Sequence, residues 1–254
     1  MTRPRRLDDA TARPDGACHP CRPDGACHLW YAAYGSNMHL DRLTYYLAGG
    51  RPTGGLRSYP GCRDPRPPAR TEPVMLPGRM YFATTSQVWT GGRAFYDPDH
   101  RAPRPPHGDD GRAPELPARL YLLTAEQFSD IAAQEMYREP GGALDLTEAL
   151  RAGRARIGPG RYETLVCAGR LDGLPVLTFT APWRSDDGTV DLNPPSAAYL
   201  RHIAAGIIAS HGWSARRAAD YLAGCPGARG HWTATDIAAL LSGPAAPADR
   251  RTRR

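Results

Sequence analysis

The sequence predicts a mixed α+β fold, on three observations. Residues 29 to 33 form an apolar, aromatic run that stops at Tyr34-Gly35-Ser36-Asn37 and gives way to a helical pattern, Leu40, Leu43, Tyr46 and Leu47, closed by Gly49-Gly50. Ala118 to Leu123 reads as a strand that runs directly into Thr124 and Gln127, the two ends of a helix capping box. Two further strand-like runs, Tyr162 to Ala168 and Leu174 to Thr180, are joined around Asp172-Gly173, the strongest short hairpin signal in the chain.

With 254 residues, 41% of them hydrophobic and 23% charged, the chain can bury a substantial core and is expected to form one domain with loose ends. The net charge of +6 is carried by arginine alone, since no lysine occurs. Replacement of every lysine, together with abundant Ala, Gly and Pro, points to coding composition more than to a selected basic surface. The arginines are scattered and not interleaved with aromatics, so no nucleic-acid partner is expected; the terminal run Arg250-Arg251-Thr252-Arg253-Arg254 reads as a solvated tail. No apolar stretch approaches the ~18 residues of a membrane span, and the first thirty residues lack the hydrophobic centre of a signal peptide. The expected location is the cytoplasm, with no membrane partner. Six cysteines, at 18, 21, 27, 62, 167 and 225, lack the spacing of a disulfide scaffold and are expected to be free thiols.

Taken in order, residues 1 to 28 are charged and proline-rich, with Arg13-Pro14-Asp15-Gly16-Ala17-Cys18-His19 recurring as Arg22-Pro23-Asp24-Gly25-Ala26-Cys27-His28. The repeat has residue types found in zinc sites, but only Cys18 and Cys21 stand at ligand spacing, so a duplicated, disordered leader is the expectation. The strand-to-helix corner that follows is suited to an anion or a developing oxyanion: Gly35 lets the backbone approach a ligand, and Ser36 and Asn37 are placed to cap the helix. Residues 52 to 78 can supply loop or short strands. Tyr81-Phe82 and Ala94-Phe95-Tyr96 read as short strands around Trp89-Thr90-Gly91-Gly92, whose paired glycines suggest backbone passing close to another element. Between 97 and 117 a run containing His100, His107, Asp109 and Asp110 reads as a surface loop in preference to a metal cluster.

Along the helix that starts at Thr124, Phe128, Ile131 and Ala132 set the inward face, and the next position on that face is Glu135. A carboxylate so placed is expected to be buried, with its pKa raised into the range useful for proton exchange near neutrality. A glutamate at a frayed helix end, reaching solvent or an arginine, is the competing reading. Residues 137 to 160 form an insertion with Leu144, Leu146 and Leu150 at helical spacing, framed by glycines; it is a candidate lid or a passive excursion. Asn193-Pro194-Pro195-Ser196 opens a helix carrying Tyr199, Ile203 and Ile207 on one face. Two short helices follow, from Ser214 to Leu222 and from Thr233 onward, joined by a linker too long for a helix-turn-helix.

Three of these pieces, Tyr34-Gly35-Ser36-Asn37 after an apolar strand, Gln134-Glu135 ending a helix, and Pro194-Pro195-Ser196 with Tyr199 opening one, resemble the gamma-glutamylcyclotransferase-like family, as does Trp89-x-Gly91-Gly92. The resemblance covers about residues 29 to 212. It implies an α+β fold built on a small, mostly antiparallel β-barrel with surrounding helices and a pocket at one mouth. It also implies roles: Tyr31, Ala32, Ala33, Tyr34, Gly35, Ser36 and Asn37 hold a glutamyl group, Glu135 is the catalytic acid/base, and Tyr162 and Tyr199 line the pocket. No metal or cofactor is implied. The substrate would be a small gamma-glutamyl amine or peptide, cyclised to 5-oxoproline with release of an amine. The chain departs from many relatives in having Met136 where a glycine follows the glutamate, and in the insertion.

The expected organisation is a leader over 1–28, the domain over 29–212, a helical extension over 213–243 and a basic tail over 244–254, as a monomer or homodimer. An amide hydrolase or acyl transferase using the same pocket, and a non-catalytic small-molecule binding module, are the other readings.

Overall fold

The computed structural model describes residues 4, 5, 7, 27–52, 57–100, 115–186 and 188–242. Strand β1 (His28–Ala33) lies inside a six-stranded sheet of order β2-β5-β1-β8-β7-β6 and is buried along most of its length, as its continuous apolar run requires. It pairs antiparallel with β5 (Glu115–Thr124) and parallel with β8 (Leu174–Thr180). The remaining pairs of this sheet, β2 (Thr71–Pro77) with β5, β6 (Arg154–Arg156) with β7 (Thr164–Leu171), and β7 with β8, are all antiparallel. The β7–β8 turn is the expected two-residue hairpin, with Asp172 at φ 52° and Gly173 at φ 76°, the positive pair that a primed turn needs.

The prediction of a mixed α+β fold with mostly antiparallel strands holds. The barrel, however, is incomplete: β3 (Arg79–Ala83) and β4 (Arg93–Asp97) form a separate two-stranded ribbon. The reason lies in the direction of the backbone groups. Phe82, opposite Ala94, donates its N–H to Pro226 O (2.8 Å) and accepts from Asn193 N–H (3.1 Å), so the pair exchanges no bonds and Ala94 turns its N–H and C=O outward. There the Tyr199 hydroxyl accepts from Ala94 N–H (3.3 Å) and the Tyr162 hydroxyl donates to Ala94 C=O (3.1 Å). Two residues on, the Thr180 hydroxyl accepts from Tyr96 N–H (3.0 Å) and donates to Tyr96 C=O (2.7 Å). Side-chain hydroxyls thus replace a backbone ladder along this seam.

The helices follow the sequence signals closely. Helix α1 (Leu40–Ala48) buries Leu43, Tyr46 and Leu47; α2 (Ala125–Glu135) starts from a complete Thr124–Gln127 capping box. Helix α4 (Ala197–His211) is capped by Ser196 and buries Tyr199, Ile203 and Ile207, while α5 (Ala215–Gly224) is capped by Ser214. Thr233 and Asp236 exchange bonds at the start of α6 (Ala234–Ser242). Gly206 brings α4 against the corner: a Cβ there would meet Met38 Cβ at 2.6 Å.

Several expectations are corrected. Ser36 and Asn37 do not cap α1, because a short 3-10 turn (Ser36–Met38) intervenes and the N-cap is His39, without a side-chain bond. Residues 52 to 78 supply a full edge strand, β2, whose Pro73 and Pro77 suit an edge position. The 137–160 insertion contains α3 (Thr147–Ala152) and β6; β6 extends the sheet edge through β7, which favours a passive excursion over a lid. Within the leader, Arg5 bridges to Val74 and ion-pairs with Asp172 (2.7 Å), and Leu7 packs on the core, so this part is not detached from the fold. Cys27 is disulfide-bonded, contrary to the free-thiol expectation, while Cys62, Cys167 and Cys225 are free. Cys18, Cys21, most of the repeat, His107, Asp109, Asp110 and the tail lie outside the described residues. Among the described residues no three of His, Cys, Asp and Glu are grouped to hold a metal, and no helix is long and apolar enough to cross a membrane.

Candidate active site

A cavity open to solvent lies where the corner after β1, the end of α2, the β3–β4 ribbon and the start of α4 meet. Its walls include Tyr31, Tyr34, Gly35, Ser36, Asn37, Glu135, Tyr162 and Tyr199, residues spread over 169 positions of sequence that only the tertiary fold brings together. Ala32 and Ala33 are the exceptions among the expected residues. They are buried within the sheet, where the Thr178 hydroxyl donates to Ala32 C=O (2.8 Å), and they do not line the cavity.

Glu135 ends α2 half-buried at the cavity wall instead of fully buried, because α2 stops there and Met136 takes the C-cap. Its neighbour Gln134, fully buried, donates to Tyr46 C=O (2.9 Å) and so fastens the end of α2 to α1. Asn37 Nδ2 donates to Glu135 Oε1 (3.0 Å), with the Tyr31 hydroxyl as a second acceptor at 3.4 Å. The corner that presents Asn37 is itself held by the Tyr121 hydroxyl, which bridges to the carbonyls of Asn37 (2.8 Å) and Met38 (3.0 Å). The carboxylate and its amide donor therefore arrive from two elements whose positions are fixed independently.

Burial holds five phenols around the cavity in the neutral form. Burial raises Tyr31, Tyr34, Tyr46, Tyr162 and Tyr199 above the ordinary tyrosine value, and the Glu135 charge adds to the rise at Tyr31 and Tyr46. Tyr34 spends its hydroxyl on Phe179 C=O (2.9 Å), so its role is to fix the corner. Tyr162 likewise donates to Ala94 C=O, whereas the Tyr199 hydroxyl accepts from Ala94 N–H.

Sequence reading missed several wall residues: Arg42, Tyr46, Arg57, Tyr59, Arg93 and Tyr137 among them. Trp89 was noticed only as part of a motif; it stacks on Tyr199 with centroids 5.9 Å apart. The paired glycines after it do lie against another segment. A Cβ on Gly92 would sit 1.9 Å from Asn193 O, and Gly92 N–H donates to Pro194 O (2.8 Å). A further signal is backbone strain. Of the non-glycine residues at positive φ, Asp172 makes the hairpin turn, whereas Thr84, Thr90 and Tyr137 flank the cavity. Such strain costs on the order of 1–3 kcal/mol per residue and concentrates at functional sites.

No family model matches the chain. In sequence it is similar to histone deacetylase 5 of Arabidopsis thaliana, 29% identical over 210 residues, which cover 76% of this chain and 30% of the deacetylase. The chain therefore spans under a third of that relative's length. Among solved structures it is similar to a gamma-glutamyl cyclotransferase, with TM-score 0.41 and 15% identity over 84% of this chain and 98% of that one. It is also similar to an uncharacterized protein from Homo sapiens, with TM-score 0.42 and 14% identity over 85% and 99% of the two chains. The chain itself is of mixed α+β class, and its Tyr34–Asn37 corner faces Glu135 at the cavity wall.

Proposed function

We propose that the chain is a gamma-glutamyl cyclotransferase-like enzyme that releases 5-oxoproline and a free amine from a gamma-glutamyl amine or peptide. The observation that supports this most is the Asn37–Glu135 hydrogen bond at 3.0 Å inside an aromatic cavity, which joins two of the motifs that carry the family resemblance.

Glu135 is the proposed general acid/base. A gamma-glutamyl compound carries its own nucleophile, the alpha-amine, which is protonated at neutral pH. Glu135 accepts that proton, the amine nitrogen attacks the gamma-carbonyl carbon, and the amide bond to the leaving group breaks as the proton passes to the leaving nitrogen. The second proton shed by the attacking nitrogen then passes through Glu135 to the departing amine, which leaves as an ammonium. Because attack is intramolecular, holding the substrate curled supplies much of the acceleration. The N–H groups of Gly35 and Ser36 take no acceptor among the described residues, and they are the proposed donors to the oxyanion. Tyr31, Tyr34, Asn37, Tyr162 and Tyr199 shape the pocket, with residues 29–212 as the catalytic domain and 213–242 as a helical extension packed on it. No cofactor is part of this scheme.

The test is a mass-spectrometric assay for 5-oxoproline over a panel of gamma-glutamyl amines and dipeptides, comparing wild type with Glu135→Gln. Glutamine keeps the size of the side chain but cannot accept the proton. Product from wild type and a loss of at least about a hundredfold in the variant are expected. Release of glutamate in place of 5-oxoproline would assign the pocket to an amide hydrolase, and equal rates would remove Glu135 from the mechanism.

A further inference from the structure

Among the described residues, Arg42 lines the cavity with part of its guanidinium unpaired. Arg42 lies on α1 one turn before Tyr46, so its side chain follows the buried face of the helix, and it is only 4% exposed. Its Nη2 donates to the Tyr59 hydroxyl, but Nε and Nη1 have no partner. The guanidinium lies over the rings of Tyr59 (4.5 Å), Tyr46 (5.1 Å) and Trp89 (5.6 Å). These faces offset part of the cost of burying the charge, and leave two N–H donors of the guanidinium unsatisfied. The other cavity arginines are engaged: Arg93 donates to the Thr84 hydroxyl (3.0 Å), and Arg57 donates to Gln134 C=O (3.3 Å) while lying over Tyr137.

An unmade bond of the opposite kind lines the same cavity. Asn37, also 4% exposed, gives its amide N–H groups to Glu135 and Tyr31, and its Oδ1 accepts nothing. Tyr46 links the two places, since Arg42 sits over its ring and the Glu135 charge acts on its phenol. The cavity wall therefore offers unpaired guanidinium N–H groups beside an acceptor and a base. An alpha-amino-acid head group presents the complementary pair, a carboxylate and an ammonium on one carbon.

We propose that Arg42 anchors the alpha-carboxylate of the bound substrate through the unpaired N–H groups of Nη1, while Asn37 Oδ1 and Glu135 receive its alpha-amine. The proposal rests on the cyclotransferase reading and deepens it. The glutamyl end enters first, its carboxylate is fixed by a rigidly held guanidinium nitrogen whose N–H directions a lysine does not reproduce, and the amine is thereby held at the base. Substrates that lack a free alpha-carboxylate are rejected because two buried donors then stay unpaired.

The experiment measures, by calorimetry on the full chain, binding of 5-oxoproline and of 5-oxoprolinamide, which differ only in carboxylate against carboxamide. Turnover of a gamma-glutamyl amide and of its alpha-carboxamide analogue is followed in parallel. Wild type is expected to prefer the carboxylate by at least about tenfold. Arg42→Met loses the preference, and Arg42→Lys keeps the charge but only part of it. A folded Arg42→Met that discriminates as wild type does overturns the proposal, as does wild type that binds both compounds equally or neither. If Arg42→Met fails to fold, Arg42→Lys decides: full wild-type preference there overturns the guanidinium contact. Intact carboxylate preference without 5-oxoproline production from any substrate would instead overturn the cyclotransferase reading alone.

Discussion

Replacement of Tyr199 by phenylalanine tests the idea that hydroxyl groups, and not a backbone ladder, close the sheet against the β3–β4 ribbon. The ring is kept, with its stack on Trp89 at 5.9 Å, so packing is nearly unchanged. What is lost is the acceptor for Ala94 N–H, which lies 3.3 Å from the hydroxyl in a residue only 1% exposed. A buried donor left without a partner costs about 1–3 kcal/mol, and the length of this bond places the expected loss near 1–2 kcal/mol. Tyr162→Phe removes a donor from the C=O of the same peptide; an under-satisfied carbonyl is better tolerated, so about 1 kcal/mol or less is expected. Because both hydroxyls serve one peptide group, the double variant should depart from additivity. Urea unfolding with an unchanged m-value measures all three. Tyr199→Phe within about 0.5 kcal/mol of wild type, as for a surface change that touches nothing, would refute the reasoning. So would a larger loss from Tyr162→Phe than from Tyr199→Phe.

Other consequences are open to direct measurement. Gly92→Ala places a Cβ 1.9 Å from Asn193 O, a backbone atom that cannot rotate away, and is expected to cost at least about 2 kcal/mol and to alter Trp89 fluorescence; unfolding at the wild-type midpoint would contradict it. Asp130 is fully buried and accepts from Arg63 N (2.9 Å), Arg63 Nη2 (3.0 Å) and Gly141 N (3.2 Å), so Asp130→Ala, which strands these donors, should cost about 3 kcal/mol in chemical denaturation. Burial, helped by Arg42 and His39, pushes His202 down to about 4, so the folded state resists a proton that the unfolded chain accepts below ~6.5. Stability should therefore fall as pH drops from about 6.5 to 4, with His211, also lowered chiefly by burial, acting in the same direction. His202→Asn should reduce that slope by up to one proton, and an unchanged slope would show that His202 titrates alike in both states.

Much of the fold was legible because its signals are local. The Thr124–Gln127 capping box, the Asp172-Gly173 hairpin, the helix starts at Ser196 and Ser214 and the spacing of Leu43, Tyr46 and Leu47 each depend on residues within four positions of one another, and all appear where expected. Several candidate site residues were named through motifs, since Tyr34–Asn37 and Glu135 stand at the ends of elements whose boundaries the caps and apolar runs fix. Ser36 and Asn37 misled as helix caps because their pattern does not distinguish a cap from a preceding 3-10 turn. Ala32 and Ala33 misled because a motif does not state which of its members face the pocket and which are covered by neighbouring strands.

By itself the sequence determined element type, order and ends, because helix caps, turn pairs and apolar periodicity act between near neighbours. The tertiary structure alone decided the parallel pairing of β1 with β8, the hydroxyl-closed seam along β4 and the burial of Arg42. An arginine beside Asp41 on a short helix reads as surface; it is buried because Tyr46, Tyr59 and Trp89, from three separate segments, close around it. Contacts between distant segments depend on how whole layers pack, and no short-range pattern encodes which side chain the packed layers will enclose.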